Sequence, residues 1–253
     1  MVKDISKFII DGEEYSISED RKQYIGPKKK FTAEDFRKEK GGKIQVIYVP
    51  REAAEDGTAF GFSDEEKLEK WLKDTNRFDE YQKMKELEKK LKRKRTPEED
   101  EEIKQYQMKE VKRANQKYKK FLERHNLKPG ELKKRREILE DHDPHFKFKS
   151  HSLYLFDGVM YMPPWVFVVL PGGHSYCGIR YSRAYPNLGY CKDIFGKGFD
   201  NRASSLIIDC ASYGKLFTDI NYGGAWMYFA THVPTLDFAT HSFNNSFSSA
   251  IVY

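Results

Sequence analysis

A six-residue pattern that occurs twice is the strongest constraint on the fold of this chain. The two copies occupy residues 200–205 and 244–249, so they begin 44 residues apart. Each copy starts with two Asp or Asn residues and ends with two serines, and a phenylalanine precedes it. An apolar run follows each copy, at residues 206–208 and 250–252. A pattern that recurs together with its flanks predicts an internal repeat of about forty residues.

The charge distribution divides the chain into parts of different character. Residues 1–150 contain 39 of the 45 Lys and Arg residues and 33 of the 39 Asp and Glu residues. Residues 151–253 contain six of each charge and 21 of the 37 aromatic residues. Charge-rich sequence is typical of exposed helices, and neutral aromatic-rich sequence is typical of a compact sheet. We therefore predict more than one domain within the 253 residues.

The overall composition argues against several classes of function. The net charge of +6 is spread among many acids and does not indicate a nucleic-acid partner. No apolar run approaches the roughly 20 residues of a membrane span, and the first residues lack the apolar core of a signal peptide. Three widely spaced cysteines do not form a secreted disulfide framework. We expect a cytoplasmic protein, and leave open export by another route with a Cys177–Cys191 disulfide.

Residues 1–62 are predicted to form a small mixed α/β unit. The pair Asp11-Gly12 is a favoured hairpin turn between two apolar segments. A strand at residues 44–49 is stopped by Pro50, and residues 58–62 are expected to pair with it. Residues 32–38 are expected to form one or two helical turns.

Residues 63–143 are predicted to be helical. Ser63 and Glu66 form a candidate capping box for the first helix. A second helix has an apolar stripe from Phe78 to Leu91, and a third begins at Thr96 and ends near residue 125. Two long amphipathic helices with a tight break are expected to pair as an antiparallel hairpin, which offers a surface for a protein partner. A shorter helix is expected at residues 131–140.

Residues 151–253 have the short apolar and aromatic runs of an all-β segment. Phe217, Tyr222 and Gly224 follow the order aromatic, four residues, aromatic, one residue, glycine. Together with the two hexapeptides, this pattern resembles the βγ-crystallin family, whose unit is a four-stranded Greek-key motif. The resemblance implies two such motifs in a paired-sheet sandwich. The expected fold class is therefore α+β, with an N-terminal α/β unit, a helical hairpin and a C-terminal βγ-crystallin-like sandwich.

The first motif matches the family pattern less well than the second. We align Trp165, Leu170 and Gly172 with the aromatic, aromatic and glycine positions of the second motif. This alignment leaves an inserted loop at residues 173–192 and an additional strand at residues 153–161.

The resemblance also implies two calcium sites, each with oxygens of one hexapeptide and backbone carbonyls of the other motif's hairpin. Asp200, Asn201 and Ser204 would serve one site, and Asn244, Asn245 and Ser248 the other. Only one of the six side chains is a carboxylate. We therefore expect weak binding, with dissociation constants of roughly 10⁻⁵–10⁻³ M. The alternative is that these side chains only cap a turn by hydrogen bonds to the backbone.

The sequence therefore predicts a non-enzymatic calcium-binding protein whose folded state calcium stabilises. His174, Cys177 and Cys191 lack a fourth zinc ligand, and no glycine loop has a phosphate-binding pattern. Two alternatives stay open. One, suggested by the resemblance, is a protease inhibitor or toxin-like secreted effector that acts through the loop at residues 173–192. The other is a helical-hairpin interaction protein in which the sheet domain is a stable cap.

Overall fold

The computed structural model describes residues 5–18, 22–91, 96–126, 152–157, 167–171, 183–193, 195–208, 213–233, 236 and 245–252. Within these ranges the chain forms a ten-stranded sheet, a three-stranded sheet and five α-helices. The predicted mixed α+β class is confirmed. No helix in the described ranges is long and apolar enough to cross a membrane.

The N-terminal part contains both strands and helices, as the sequence predicts. Its elements are β1 (Lys7–Ile10), β2 (Glu13–Ile17), β3 (Gln23–Ile25), β4 (Lys30–Thr32), α1 (Ala33–Glu39), β5 (Val46–Val49), α2 (Ala53–Asp56) and β6 (Thr58–Phe62). Asp11 and Gly12 form the turn between β1 and β2, with φ angles of 47° and 91°. Both residues are in the left-handed region that a tight hairpin turn of this kind requires. Strand β1 pairs with β2 on one side and, in parallel, with β6 on the other.

Three longer helices follow: α3 (Glu65–Asp74), α4 (Phe78–Leu91) and α5 (Pro97–His125). Thr96 caps α5 in a reciprocal capping box with Glu99, as its sequence predicts. The predicted cap of α3 is off by one residue. Asp64, not Ser63, accepts the hydrogen bond from the backbone N–H of Lys67. An aspartate at this position also places a negative charge at the positive end of the helix dipole.

The C-terminal part contributes seven strands to the two sheets. They are β7 (Ser152–Phe156), β8 (Phe167–Pro171), β9 (Arg183–Tyr185), β10 (Ser205–Ile208), β11 (Gly214–Phe217), β12 (Trp226–Phe229) and β13 (Ser249–Val252). The three-stranded sheet has the order β10-β7-β8, and the end of the large sheet has the order β12-β11-β13-β9. Strand β7 therefore lies between two partners, as β11 does in the other sheet.

This arrangement corrects the alignment of the first motif. The backbone N–H of Ser204 donates to the carbonyl of Phe156, as that of Ser248 donates to the carbonyl of Phe217. Phe156 thus takes the place of Phe217, and β7 is a central strand rather than the additional strand expected at residues 153–161. In the sequence, Tyr161 follows Phe156 at the same interval as Tyr222 follows Phe217. Residues 158–166 lie outside the described ranges.

Strands β5 and β12 join the N-terminal and C-terminal strands into one sheet. They pair in parallel, with Val46 opposite Trp226 and Val49 opposite Phe229. All four residues of β5 are buried, as is typical of a strand covered on both faces. The division into units at residues 1–62, 63–143 and 151–253 stays a prediction, but the strands of the first and third units share one hydrogen-bonded ladder.

The core lies between the two sheets of the C-terminal part. Because side chains alternate along a strand, every second residue of each strand points to this interior. Buried members of one continuous cluster are Leu153, Leu155, Leu206 and Ile208 from the small sheet, and Leu216, Met227, Phe229, Ala250 and Val252 from the large one. Residues of β5, including Ile47 and Val49, extend the same cluster into the N-terminal part.

The long helices pack on the outer faces of the sheets. Tyr118 and Leu122 of α5 form a cluster with Tyr154, Phe156 and Ile207 of the small sheet. A different cluster combines helices α3 and α4 with the large sheet, through Leu68, Leu72, Tyr81, Met84, Val46, Tyr48, Phe62 and Tyr228. Each helix thus buries its apolar stripe on a sheet, which differs from the expected hairpin in which α4 and α5 cover each other.

His232 makes the stability of this fold sensitive to pH. Its Nδ1 accepts a hydrogen bond of 3.1 Å from the backbone N–H of Ile208. Burial lowers the pKa of His232 from its ordinary value of 6.5 to about 4. Between these values the unfolded chain binds a proton that the folded chain does not. Lowering the pH from 7 to 5 should therefore reduce the free energy of unfolding by about 2 kcal/mol through this residue.

The measurement is urea unfolding of the wild type and of His232→Asn at pH 7 and pH 5. The asparagine side chain keeps a hydrogen-bond acceptor but does not titrate, so this variant should lose less stability than the wild type on acidification. His125→Asn, at the end of α5, is the matched control and should behave like the wild type. An equal pH dependence in the wild type and His232→Asn would contradict the assignment.

Candidate cation site at two crossed hexapeptides

The backbones of the two hexapeptides cross and bind each other reciprocally. The N–H of Asn201 donates to the carbonyl of Phe247, and the N–H of Asn245 donates to the carbonyl of Ala203, both at 3.0 Å. Asn201 and Asn245 have φ angles of 52° and 54°. Asn and Asp enter this left-handed region more readily than other side chains, which explains their place at the second position of each hexapeptide.

The side chains also pair across the two hexapeptides. Ser204 Oγ donates to Asn245 Oδ1 at 2.8 Å, and Ser248 Oγ donates to Asn201 Oδ1 at 3.3 Å. We name Asp200, Asn201 and Ser248 the first cradle, and Asn245 and Ser204 the second cradle. The sequence pattern groups Ser204 with Asn201 and Ser248 with Asn245, whereas the structure exchanges the two serines. Asn244 lies outside the described residues.

Asp200 provides the test of whether the first cradle fits a cation. Its Oδ2 accepts a hydrogen bond from Asn201 Nδ2 at 3.3 Å. Its Oδ1 is buried, and no hydrogen-bond donor reaches it within the described part of the chain. A buried carboxylate oxygen without a donor is unfavourable, because it has lost its water without replacement. A bound cation would compensate this oxygen, so the residues of the first cradle fit the calcium ion that the resemblance implies.

The oxygen ligands in both cradles favour a hard cation. Carboxylate, amide and hydroxyl oxygens are the ligands that calcium prefers, whereas transition metals favour imidazole and thiolate. The described residues contain no cluster of three or more His, Cys, Asp or Glu side chains. The only carboxylate of the two cradles is that of Asp200, so weak affinity stays the expectation for this site.

The last serine of the second hexapeptide anchors the hairpin at residues 218–224. Ser249 is fully buried, and its Oγ donates to the carbonyl of Asp219 at 2.6 Å. The same oxygen accepts a hydrogen bond from the backbone N–H of Tyr222 at 3.0 Å. Gly224 has a φ of 71°, and a Cβ there would collide with Thr218 Oγ1 and the Asp219 carboxyl group. Serine and glycine are therefore required by the hairpin itself, as the sequence predicts.

Arg202 is a residue that the sequence did not single out, because it occupies a variable position of the hexapeptide. Its Nε and Nη2 donate to Asp157 Oδ2 at 3.0 and 2.8 Å. Its Nη1 donates to Asp193 Oδ2 at 2.8 Å and to the carbonyl of Gly198 at 3.0 Å. The arginine thus bridges two carboxylates beside the crossed hexapeptides.

Cys191 is not suited to nucleophilic chemistry. Its thiol is buried and free, and burial raises its pKa to about 12. A thiol with so high a pKa carries almost no thiolate near neutral pH. Because Cys191 is a free thiol, the Cys177–Cys191 disulfide that the sequence left open is not formed in this structure. His174, Cys177 and residues 173–182 of the expected loop lie outside the described ranges, so the contact loop stays a prediction.

Comparison with known proteins gives matches among solved structures. No protein-family model matches the chain. No curated protein matches it either. The matching structures are βγ-crystallin domains, the family that the motifs resemble. A double mutant of a βγ-crystallin domain from Clostridium beijerinckii is 17% identical, with a TM-score of 0.31, and the match covers 40% of this chain and 96% of that domain.

Two further structures give similar values. A βγ-crystallin domain from Flavobacterium johnsoniae is 21% identical, with a TM-score of 0.28, over 40% of this chain and 92% of that one. The N-terminal domain of protein S is 17% identical, with a TM-score of 0.30, over 40% of this chain and 94% of that one.

Proposed function

We propose that this chain is a non-enzymatic calcium-binding protein with a βγ-crystallin-like part, and that calcium stabilises its folded state. The observation that supports this proposal is the buried Asp200 Oδ1, which has no hydrogen-bond donor in the described residues. It lies beside an asparagine and a serine that the crossing brings together from different hexapeptides.

The first cradle is the principal site in this proposal. The Asp200 carboxylate supplies the negative charge, and the side-chain oxygens of Asn201 and Ser248 supply neutral ligands. The second cradle, with Asn245 and Ser204, supplies neutral oxygens alone. Asn244 stays a predicted ligand of this second site. Calcium, when bound, supplies a positive charge that compensates the buried carboxylate.

The expected benefit is stability. Each hexapeptide leads into a strand of a different sheet. The first leads into β10 of the small sheet, and the second leads into β13 of the large sheet. An ion that binds only where they cross favours the folded state by mass action. At a calcium concentration 100 times the dissociation constant this amounts to about 2.7 kcal/mol. A protein partner bound through the helical region stays a prediction.

Isothermal titration of the full chain with calcium tests this proposal. We expect saturable binding with a dissociation constant of roughly 10⁻⁵–10⁻³ M. Asp200→Asn should weaken it about tenfold or more, because the only carboxylate of the site is lost. Asp74→Asn, which removes the same charge from the exposed end of α3, is the control and should bind as the wild type does. No binding at about 10 mM calcium, which exceeds the range for weak sites, or equal affinity in Asp200→Asn, would overturn the proposal.

A further inference from the structure

The two cradles differ in their electrostatic surroundings. The first contains the carboxylate of Asp200, whose Oδ1 has no donor within the described ranges. The second contains only the neutral side chains of Asn245 and Ser204. Its neighbouring carboxylate is Asp157, which directly follows Phe156 in the chain. The carbonyl of Phe156 accepts the backbone hydrogen bond of Ser204 at 2.8 Å, so Asp157 lies one residue from a direct contact of the second cradle.

The carboxylate of Asp157 is already compensated by an arginine. Two nitrogens of Arg202 donate to Asp157 Oδ2, at 2.8 and 3.0 Å. A third contact fixes the guanidinium on Asp193, whose side chain has no exposed surface. The other oxygen of Asp193 accepts from the backbone N–H groups of Phe195 and Lys197, at 2.8 and 2.9 Å. This second carboxylate is therefore held in place, and it holds the positive charge of Arg202 with it.

Arg202 directly follows Asn201 of the first cradle, but its side chain bonds to Asp157, the carboxylate next to the second cradle. Arg202 directly precedes Ala203, whose carbonyl accepts from the N–H of Asn245, and Ser204 follows next. In the second hexapeptide the position of Arg202 is occupied by Ser246, and Thr218 follows Phe217 as Asp157 follows Phe156. Both Ser246 and Thr218 are neutral. A carboxylate that is paired with an arginine is no longer an open ligand, so the second cradle lacks the negative charge that Asp200 gives to the first.

We propose that Arg202 withholds the carboxylate of Asp157 from the second cradle, so that each chain binds one calcium ion, at the first cradle, and not two. This inference rests on the proposed function, and it assigns Arg202 the role of setting the number of bound ions. Removing the arginine should release Asp157 and open a second site.

Equilibrium dialysis of the full chain against radioactive calcium tests the inference by counting bound ions. We expect one ion for the wild type, two for Arg202→Gln and one for Arg202→Lys, which keeps the charge. Arg77→Gln removes a surface arginine paired with Glu52 and should leave one ion. The variant Arg202→Gln/Asp193→Asn avoids leaving a buried carboxylate unpaired, and should also bind two ions if Arg202→Gln folds poorly. Circular dichroism confirms that each variant is folded.

The outcomes separate this inference from the proposed function. Two ions on the wild type would overturn the inference and leave calcium binding intact. One ion on the wild type, on Arg202→Gln and on Arg202→Gln/Asp193→Asn would also overturn the inference. No ion on the wild type but one on Arg202→Gln would overturn both the proposed function and the single-ion stoichiometry of this inference. No ion on any variant would overturn both.

Discussion

Replacing Lys215 with methionine should lower the free energy of unfolding by about 3–5 kcal/mol, the cost of breaking a buried ion pair by removing one partner. Lys215 is only 1% exposed, and its Nζ lies 2.5 Å from Glu88 Oε1. The same nitrogen lies 3.9 Å from the centre of the Trp226 ring and 5.1 Å from that of Tyr81. Methionine keeps much of the apolar stem but removes the ammonium group of Lys215 from the buried Glu88 carboxylate.

This ion pair connects a helix to the large sheet. Lys215 lies in β11 beside Leu216, and the alternation of the strand places the two side chains on opposite faces. Leu216 belongs to the core between the sheets, so Lys215 lies on the outer face that α4 covers with Tyr81 and Glu88. Loss of the pair should therefore destabilise the docking of α4 as well as the strand.

Urea unfolding, followed by circular dichroism, measures this effect. Lys67→Met is the matched control, because Lys67 forms an exposed ion pair with Asp11, and we expect a loss below about 1 kcal/mol. The double variant Lys215→Met/Glu88→Leu should recover most of the stability, since it leaves no buried charge unpaired. A loss in Lys215→Met as small as in Lys67→Met would contradict the importance of the pair.

Ser249→Ala should lower the free energy of unfolding by about 2–4 kcal/mol, because each buried polar group left without its partner costs about 1–3 kcal/mol. The substitution removes two hydrogen bonds and leaves the carbonyl of Asp219 and the N–H of Tyr222 without the hydroxyl that binds them. Hydrogen exchange should also show faster exchange of the amide of Tyr222, because its acceptor is lost.

The control for Ser249→Ala is Ser63→Ala, which removes an exposed hydroxyl that is bonded to Asp64 and Lys67. We expect a loss of at most about 0.5 kcal/mol in this variant. If Ser249→Ala were as stable as the control, and its Tyr222 amide exchanged as slowly as in the wild type, the hairpin would not depend on this serine.

Features set by neighbouring residues could be predicted from the sequence. The turn at Asp11 and Gly12 needs only two residues that tolerate positive φ. The capping box of Thr96 and Glu99 spans four residues, and the need for glycine at position 224 comes from Thr218 and Asp219 of the same hairpin. Each of these depends on contacts close in the chain, so the local pattern contains the information that determines it.

Features set by distant residues could not be predicted in the same way. The pairing of Val46 with Trp226 joins positions 180 residues apart, and neither strand has a local mark of its partner. Lys215 appears in the sequence as an ordinary charged strand residue, because its burial depends on α4. Similarly, the exchange of Ser204 and Ser248 between the cradles follows from the crossing of two loops, and the order of residues within each hexapeptide does not reveal it.

The alignment of the first motif from the sequence was wrong for a related reason. Trp165 and Phe156 are both aromatic residues close to candidate strands, and only the glycine at position 172 favours the former. The hydrogen bond from Ser204 to Phe156 decides between them, and it joins residues 48 positions apart. The corresponding sequence has Pro163 where the second motif has Gly224, so the first hairpin departs from the pattern of the second.

Thermal unfolding of the full chain in calcium and in chelator tests the central claim, which is that calcium stabilises the folded state through the first cradle. The full chain is needed because β5 and β12 belong to one sheet. At saturating calcium, about 100 times the dissociation constant, we predict a rise in Tm of about 5–10 °C. Ser248→Ala should reduce this rise, whereas Ser63→Ala should preserve it. An identical Tm in chelator and in about 10 mM calcium, which exceeds the range for weak calcium sites, would contradict the claim.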